Sequence, residues 1–416
     1  MGIISLSDSY LYCPKWLTRK WGKMRKGILA FIWVLIGSTV AVAQVSDFQA
    51  YQDSMRRAQQ QFNTERDKDA AVAASLAEYE AYEARVMAEY ESFREDMLQK
   101  WGDYKERTKT KWVEYINGGD ARAEVDFEEN EVTVEIIVED PEDVEAALEE
   151  LPEVIEEVVE NQGSEMGFES EEAGDEPVLD EPVLEEQLDK EPDETDEEYV
   201  ERIVEENEVE VKTVVGEDGE ERILLSINFG LAPESIQTRA EKVQEFVYNY
   251  SEEYGITPPL VFAIIHTESY FNPMASSPAN AFGLMQLVPT SGGADAYRRV
   301  HDSDGYPTKE FLFEPKNNVE LGCAYVDILL NRYLTGVTND LTKSYLAISA
   351  YNTGTGNVYK AYDSSGSKSK ATAKIESMTP QENYDWLIEN LPYEETRDYL
   401  KKVVDRSKMY EGWTEQ

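Results

Sequence analysis

Histidine and cysteine are nearly absent: a chain of 416 residues has two of each. So few soft ligands exclude a Cys/His zinc site and a disulfide framework. Basic residues are also scarce, 39 Lys and Arg against 85 Asp and Glu, for a net charge of −46. Such a chain repels a polyphosphate backbone, which excludes nucleic-acid binding by a general electrostatic route. Carboxylates are plentiful, yet no EF-hand loop spacing occurs, and neither a metal nor a cofactor is expected. A Ser-His-Asp triad would need His266 or His301 placed by chance, and nothing in the pattern supports one. The apolar run near the N-terminus, residues 28–43, is short for a membrane span.

That run is read instead as a targeting signal. Arg19, Lys20, Lys23, Arg25 and Lys26 precede it, and it ends in Ala41-Val42-Ala43, a small-x-small cleavage site followed by Gln44. Residues 1–43 are assigned as a signal peptide, with Met24 as an alternative start. Cys13 leaves with it, and Cys323, in a helical pattern, is read as a small core residue.

Residues 44–230 are predicted to form a small helix-plus-antiparallel-sheet domain. Apolar and aromatic residues recur in eleven-residue steps, as in Tyr82, Phe93, Tyr104 and Tyr115, and in Tyr79, Tyr90, Trp101 and Trp112. Eleven residues make three helical turns, so the rows form one nearly straight stripe, and the helix is predicted to run to the Asn117-Gly118-Gly119 break. The stripe packs on its own domain or on another helix; a carbohydrate platform is the alternative. Residues 123–127 and 132–136 alternate as a hairpin, and residues 209–215 and 222–229 as a second. Both hairpins are expected in one sheet with the aromatic helix on one face. Between them, residues 139–210 hold 33 acidic and two basic residues. Residues 141–160 have helical spacing, but about 161–205 is predicted to be a disordered acidic insert.

The chemistry concentrates in the C-terminal part, residues 231–416, where several stretches have helical periodicity. The apolar run Leu260-Val261-Phe262-Ala263-Ile264-Ile265 leads into Glu268, and Asn272-Pro273 ends the helix. A carboxyl group delivered by an apolar helix is a candidate general acid near neutral pH. Downstream stand Gly283-Leu284-Met285-Gln286, then Ala350-Tyr351-Asn352-Thr353-Gly354, then Glu395-Thr396-Arg397-Asp398-Tyr399-Leu400. In that order, ESxxNP, GLMQ, AYNxG and ETRxYL resemble the catalytic domain of the soluble-lytic-transglycosylase family. The stretch WVEYINGGDARAEVDFEENEVTVE resembles the N-terminal domain of the membrane-bound C branch of lytic murein transglycosylases, which normally carries a lipid anchor. No anchor cysteine follows the apolar run.

The resemblance implies an α+β chain: the small N-terminal domain, then a mostly α, lysozyme-like catalytic domain. It implies cleavage of the MurNAc-GlcNAc bond of peptidoglycan, with Glu268 as acid and then base and a 1,6-anhydro product. Ser269, Ser277, Met285, Gln286, Tyr351 and Asn352 are the implied substrate-binding residues. Gln286 has the hydrogen-bonding groups for an acetamido group, and Tyr351 the ring to pack on a sugar. Asn352 is read first as tying its loop, Met285 first as core or groove floor, and Arg397 as a clasp for the last helix or a partner for a peptide carboxylate. Glu395 is the candidate second carboxylate. The implied partner is the glycan strand, and the implied location is the periplasm, with peripheral association with the outer membrane left open. A lysozyme-type hydrolase and a non-catalytic glycan-binding scaffold are the rival readings.

Overall fold

The structure is a computed structural model that describes residues 65–415, apart from Ala173, Asp175, Ser303 and Asp304; the signal segment lies outside the described residues. Helix α1 (Glu65–Trp101) leads into a five-stranded antiparallel sheet of order β1-β2-β3-β5-β4. The strands are β1 (Lys111–Ile116), β2 (Ala121–Asp126), β3 (Glu131–Val138), β4 (Glu210–Val215) and β5 (Glu221–Gly230). Both predicted hairpins are present, and the β3–β5 pairing joins them.

The aromatic helix is shorter than its periodicity predicts. It ends at Trp101, and residues 111–116 are a strand. Gly102 turns the chain out of the helix with φ +76°, and a Cβ there would lie 2.5 Å from the Val215 carbonyl oxygen, so glycine is required at this turn. Beyond the turn the same residues find a better use. Trp112 and Ile116 face one side of the sheet, Val113 and Tyr115 the other, and all four are buried. The stripe packs on its own sheet: Val86, Met97 and Trp101 of α1 cover Val113, Tyr115, Ile137 and Leu224.

The opposite sheet face is covered by α2 (Val144–Glu160) and α3 (Asp196–Glu206). The segment predicted to be disordered, about 161–205, runs from the end of α2 through α3, and it is packed. Leu184 and Tyr199 are fully buried, and Val183, Val200 and Ile203 join them in the core. Val178, Leu179 and Val183 donate backbone hydrogen bonds to Gly163, Gln162 and Asn161. Thr195 and Glu198 form a capping box at the start of α3. Composition misleads here because most of the carboxylates stay at the surface, Glu165 being a buried exception, while a few spaced apolar residues supply the buried surface.

The helical module follows as α4 (Ser235–Lys242), α5 (Gln244–Tyr254), α6 (Pro258–Ser269), α7 (Gly292–His301), α8 (Lys309–Phe313) and α9 (Pro315–Ile328). It continues through α10 (Asp340–Thr353), α11 (Thr355–Tyr362), α12 (Lys368–Glu376), α13 (Pro380–Asn390) and α14 (Glu394–Met409). Cys323 is buried in α9 as expected. One apolar core runs through both modules without a break at residue 230. Arg239 of α4 marks the joint: it donates to Phe127 O behind β2, to Gln187 Oε1 of the acidic segment and to Tyr270 O beyond α6. No helix among the described residues is long and apolar enough to cross a membrane.

Candidate active site

Helix α6 is the axis of the site. Pro258 and Pro259 open it, and its residues from Leu260 through His266 are buried all round, so packing rather than amphipathicity fixes its course. It stops at Tyr270, which takes a left-handed conformation at φ +53°. Arg406 of α14 and Tyr410 just past its end hold this terminus. Arg406 donates to His266 O at 2.8 Å and to the Tyr270 hydroxyl at 2.6 Å. Tyr410 meets His266 Nδ1 at 2.9 Å. Burial first, then the nearby Arg406 and Arg239, pull the His266 imidazole down to about 3, so it stays neutral and structural.

Glu268 is thus delivered to the floor of a groove of about 720 Å³. The residue is 4% exposed. Its Oε2 accepts from Lys109 Nζ at 2.8 Å, across 159 residues of chain. Around it the groove is lined by Ser277, Gln286, Tyr325, Tyr351, Asn352 and Glu395, among others. Five of the residues expected in the site therefore meet there: Glu268, Ser277, Gln286, Tyr351 and Asn352.

Ser269 and Met285 do not line it. Ser269 is fully buried, and its hydroxyl donates to Ile265 O and, at 2.8 Å, to Leu284 O; it staples α6 to the loop behind the groove. Successive residues at the end of a helix point to different sides, so a serine next to Glu268 turns away from it. Met285 is also fully buried, with its sulfur against Gly322, and contributes only its backbone. Its carbonyl accepts from the Tyr351 hydroxyl at 2.6 Å, and its N–H donates to Asn318 Oδ1 at 2.8 Å. Asn318, which the sequence reading passed over, is wholly buried and organises the loop; its amide also donates to Phe282 O and Leu312 O. Gly283 at φ +73° lies so close to that amide that a Cβ would sit 2.2 Å from Nδ2.

Gln286 donates its Nε2 to Ala275 O and Gly283 O, which leaves Oε1 buried without a protein partner. That oxygen is an acceptor suited to a hydroxyl or amide N–H. Ser277 closes a small turn, its Oγ accepting from Ala281 N. Asn352 Oδ1 accepts from Thr396 Oγ1 at 2.7 Å, so it ties its loop while lining the groove. Arg397 donates to Leu391 O and clasps the start of α14. Glu395 is exposed on the rim, and Asp295, also on the wall, is engaged by Arg298 at 2.7 Å.

Two phenols flank the carboxylate. Tyr351 is driven well above its usual value by burial first and the Glu268 charge second, and Tyr399 likewise. Tyr399 O–H is buried and has no hydrogen bond of ordinary geometry, although it faces Glu268 closely enough for a hydrogen-bonding interaction to add to the rise. It stands within the ETRxYL stretch, three residues from Thr396 on the same helix face, and that spacing was the available signal.

Residues 245–374, from α5 into α12, match the transglycosylase SLT domain family. Glu268, the GLMQ loop and the AYNTG turn all lie within the matched residues. The chain is 41% identical over 189 residues to membrane-bound lytic murein transglycosylase C of Klebsiella pneumoniae (strain 342), covering 45% of this chain and 52% of that protein. It is 39% identical over 188 residues to the protein of the same name from Pectobacterium atrosepticum, covering 45% and 52%. The matches thus span about half the length of these curated relatives. The 70 kDa soluble lytic transglycosylase of Escherichia coli overlays 44% of this chain and 28% of its own, at 22% identity and a TM-score of 0.33.

Proposed function

We propose that this chain is a periplasmic peptidoglycan lytic transglycosylase that cleaves the MurNAc-GlcNAc β-1,4 bond and leaves a 1,6-anhydro-MurNAc end. The observation that carries the reading is Glu268, a buried carboxylate at the end of an apolar helix, opening into a groove that is also lined by Gln286, whose buried Oε1 has no protein partner. The SLT match and the names of the relatives support the same substrate class.

Glycosidic cleavage needs a proton on the leaving oxygen and support for an oxocarbenium-like carbon. Most glycosidases supply these from two carboxylates. The other carboxylates of this groove are poor second groups: Asp295 is held by Arg298, and Glu395 stands exposed on the rim. In the proposed reaction the substrate supplies the missing part. Glu268 gives its proton to the glycosidic oxygen, the C1–O bond breaks, and the sugar's own N-acetyl oxygen supports C1. The 6-hydroxyl oxygen then attacks C1, and its proton returns to Glu268. No water is consumed. Gln286 Oε1 accepts from a sugar hydroxyl or acetamido N–H, and Tyr351, held by Met285 O, packs along the strand. Residence in the periplasm, with peripheral attachment to the outer membrane, goes with this substrate and with the membrane-bound relatives.

The test is mass spectrometry of muropeptides released from purified sacculi. Products lighter than the reducing-end form by one water are expected. Reducing ends would mean that water is the nucleophile and the enzyme a hydrolase, and no release by folded protein would leave a glycan-binding scaffold.

A further inference from the structure

The cation at Glu268 does not come from the helical module. Lys109 belongs to the loop between α1 and β1, residues 102–110, and that loop is fastened on both sides of the lysine. Thr108 O accepts from Ser276 N of the groove wall at 3.2 Å. Arg107 donates to Val113 O and Ser164 O and pairs with the buried carboxylate of Glu114. Lys109 itself lines the groove with its side chain 40% exposed, while the carboxylate it meets is 5% exposed.

We infer that Lys109 is a positioning residue, supplied by the N-terminal module, that holds Oε2 of Glu268 and leaves Oε1 to carry the proton in both half-reactions. The inference rests on the functional reading above. A carboxyl group on a flexible side chain can present either oxygen, and an ammonium donating to one of them removes that freedom. Lys109 is the one donor in hydrogen-bond geometry to Glu268 among the described residues. The contact suits both states of the acid. When Glu268 is protonated, Oε1 bears the hydrogen and Oε2 is the carbonyl-like oxygen that accepts from Lys109. When Oε1 has passed its proton to the glycosidic oxygen, the carboxylate is an anion among buried phenols, and the ammonium offsets that charge. The ion pair in the structure is the arrangement between the two half-reactions. The proton then returns to Oε1 from the 6-hydroxyl, and Lys109 keeps its own protons throughout.

Lys109→Met and Lys109→Arg in the full chain test this, with initial rates on soluble glycan strands and thermal midpoints measured for each. For Lys109→Met, kcat should fall about 10- to 100-fold while KM moves less than about threefold, a loss no larger than the low end of acid–base assistance, as suits a residue that positions the acid. Lys109→Arg should stay within about threefold of the parent, because a guanidinium can make the same donation. An unchanged or raised kcat in Lys109→Met, equal losses in both variants, or a change confined to KM would overturn the inference. A second measurement does not depend on turnover: the midpoint shift caused by Lys109→Met, taken with and without Glu268→Gln. Unequal shifts are expected, and equal shifts mean that the pair does not exist in solution. If the parent released nothing, the functional reading would fall, and this cycle would still decide the contact.

Discussion

Lys109 runs from the N-terminal module to Glu268 in the helical one, and Lys309 runs the other way, donating to the backbone carbonyl of Glu165 at 2.8 Å. The first couple opens on a groove, and there the lysine and the carboxylate meet directly as an ion pair. The second is sealed where the acidic segment meets α8. Burial, with Glu310 adding to it and Lys309 opposing it, lifts the Glu165 carboxyl far above the usual carboxylate range. Burial likewise pulls the Lys309 ammonium down. The same two residue types end in different chemistry because one pair keeps access to water and the other has lost it. The sealed couple belongs to the joint; the open one is free to take part in a reaction.

The largest effect should come from breaking the open couple at its acid. Glu268→Gln should lower muropeptide release by about a thousandfold or more with the fold intact, as expected when one group serves two proton transfers. Full activity would dismiss Glu268 as the acid. Next comes the joint on which both couples depend. Arg239→Met strips the donors from three acceptors, the buried Phe127 O and Gln187 Oε1 and the part-buried Tyr270 O, and should cost about 3 kcal/mol in denaturant unfolding. An unchanged midpoint would mean that the modules do not need this clasp.

The sealed couple is sharpened by pH. The folded value of Glu165 lies above its ordinary 4.5, so the native state keeps a proton that the unfolded chain has released. Its stabilising share is therefore complete below about 4.5 and is lost as pH rises through the folded value. Glu165→Gln is neutral throughout, so its thermal midpoint should gain on the parent by a few degrees from pH 5 to pH 8. A constant gap would show that the carboxyl is not held protonated. The smallest effect is expected for Tyr351→Phe. It removes the bond to Met285 O and should cost about 1 kcal/mol of stability, measured in the same denaturant titration. A loss several times larger would give Tyr351 a role beyond fixing that loop.

How far the sequence reads depends on whether the deciding interaction is local. The hairpins were legible because alternation within a few residues sets which side chains are buried. Strand β1 was not, because Trp112 and Tyr115 keep the eleven-residue step of the helix while belonging to a sheet, and only the close approach of Gly102 to Val215 shows the break. The acidic segment was misread because charge swamps the few residues, such as Leu184 and Tyr199, that anchor it. Of the residues the motifs carried, Glu268, Ser277, Gln286, Tyr351 and Asn352 line the candidate groove. The same motifs also carried Ser269 and Met285, which stand behind the wall, since a motif records neighbours without recording which way each faces. Lys109 left no local trace, because its partner lies 159 residues away.

The clasp of Arg406 and Tyr410 on the end of α6 has a consequence in time. A polypeptide is made from its N-terminus, so the helix bearing Glu268 emerges more than a hundred residues before the segment that fixes its end. Until α14 has been synthesised, His266 O lacks its guanidinium donor and the wall beside Asn352 lacks Thr396. A nascent or prematurely stopped chain would hold the acid without a finished groove around it. Competence to cut a polymer would therefore arrive only with the last helix.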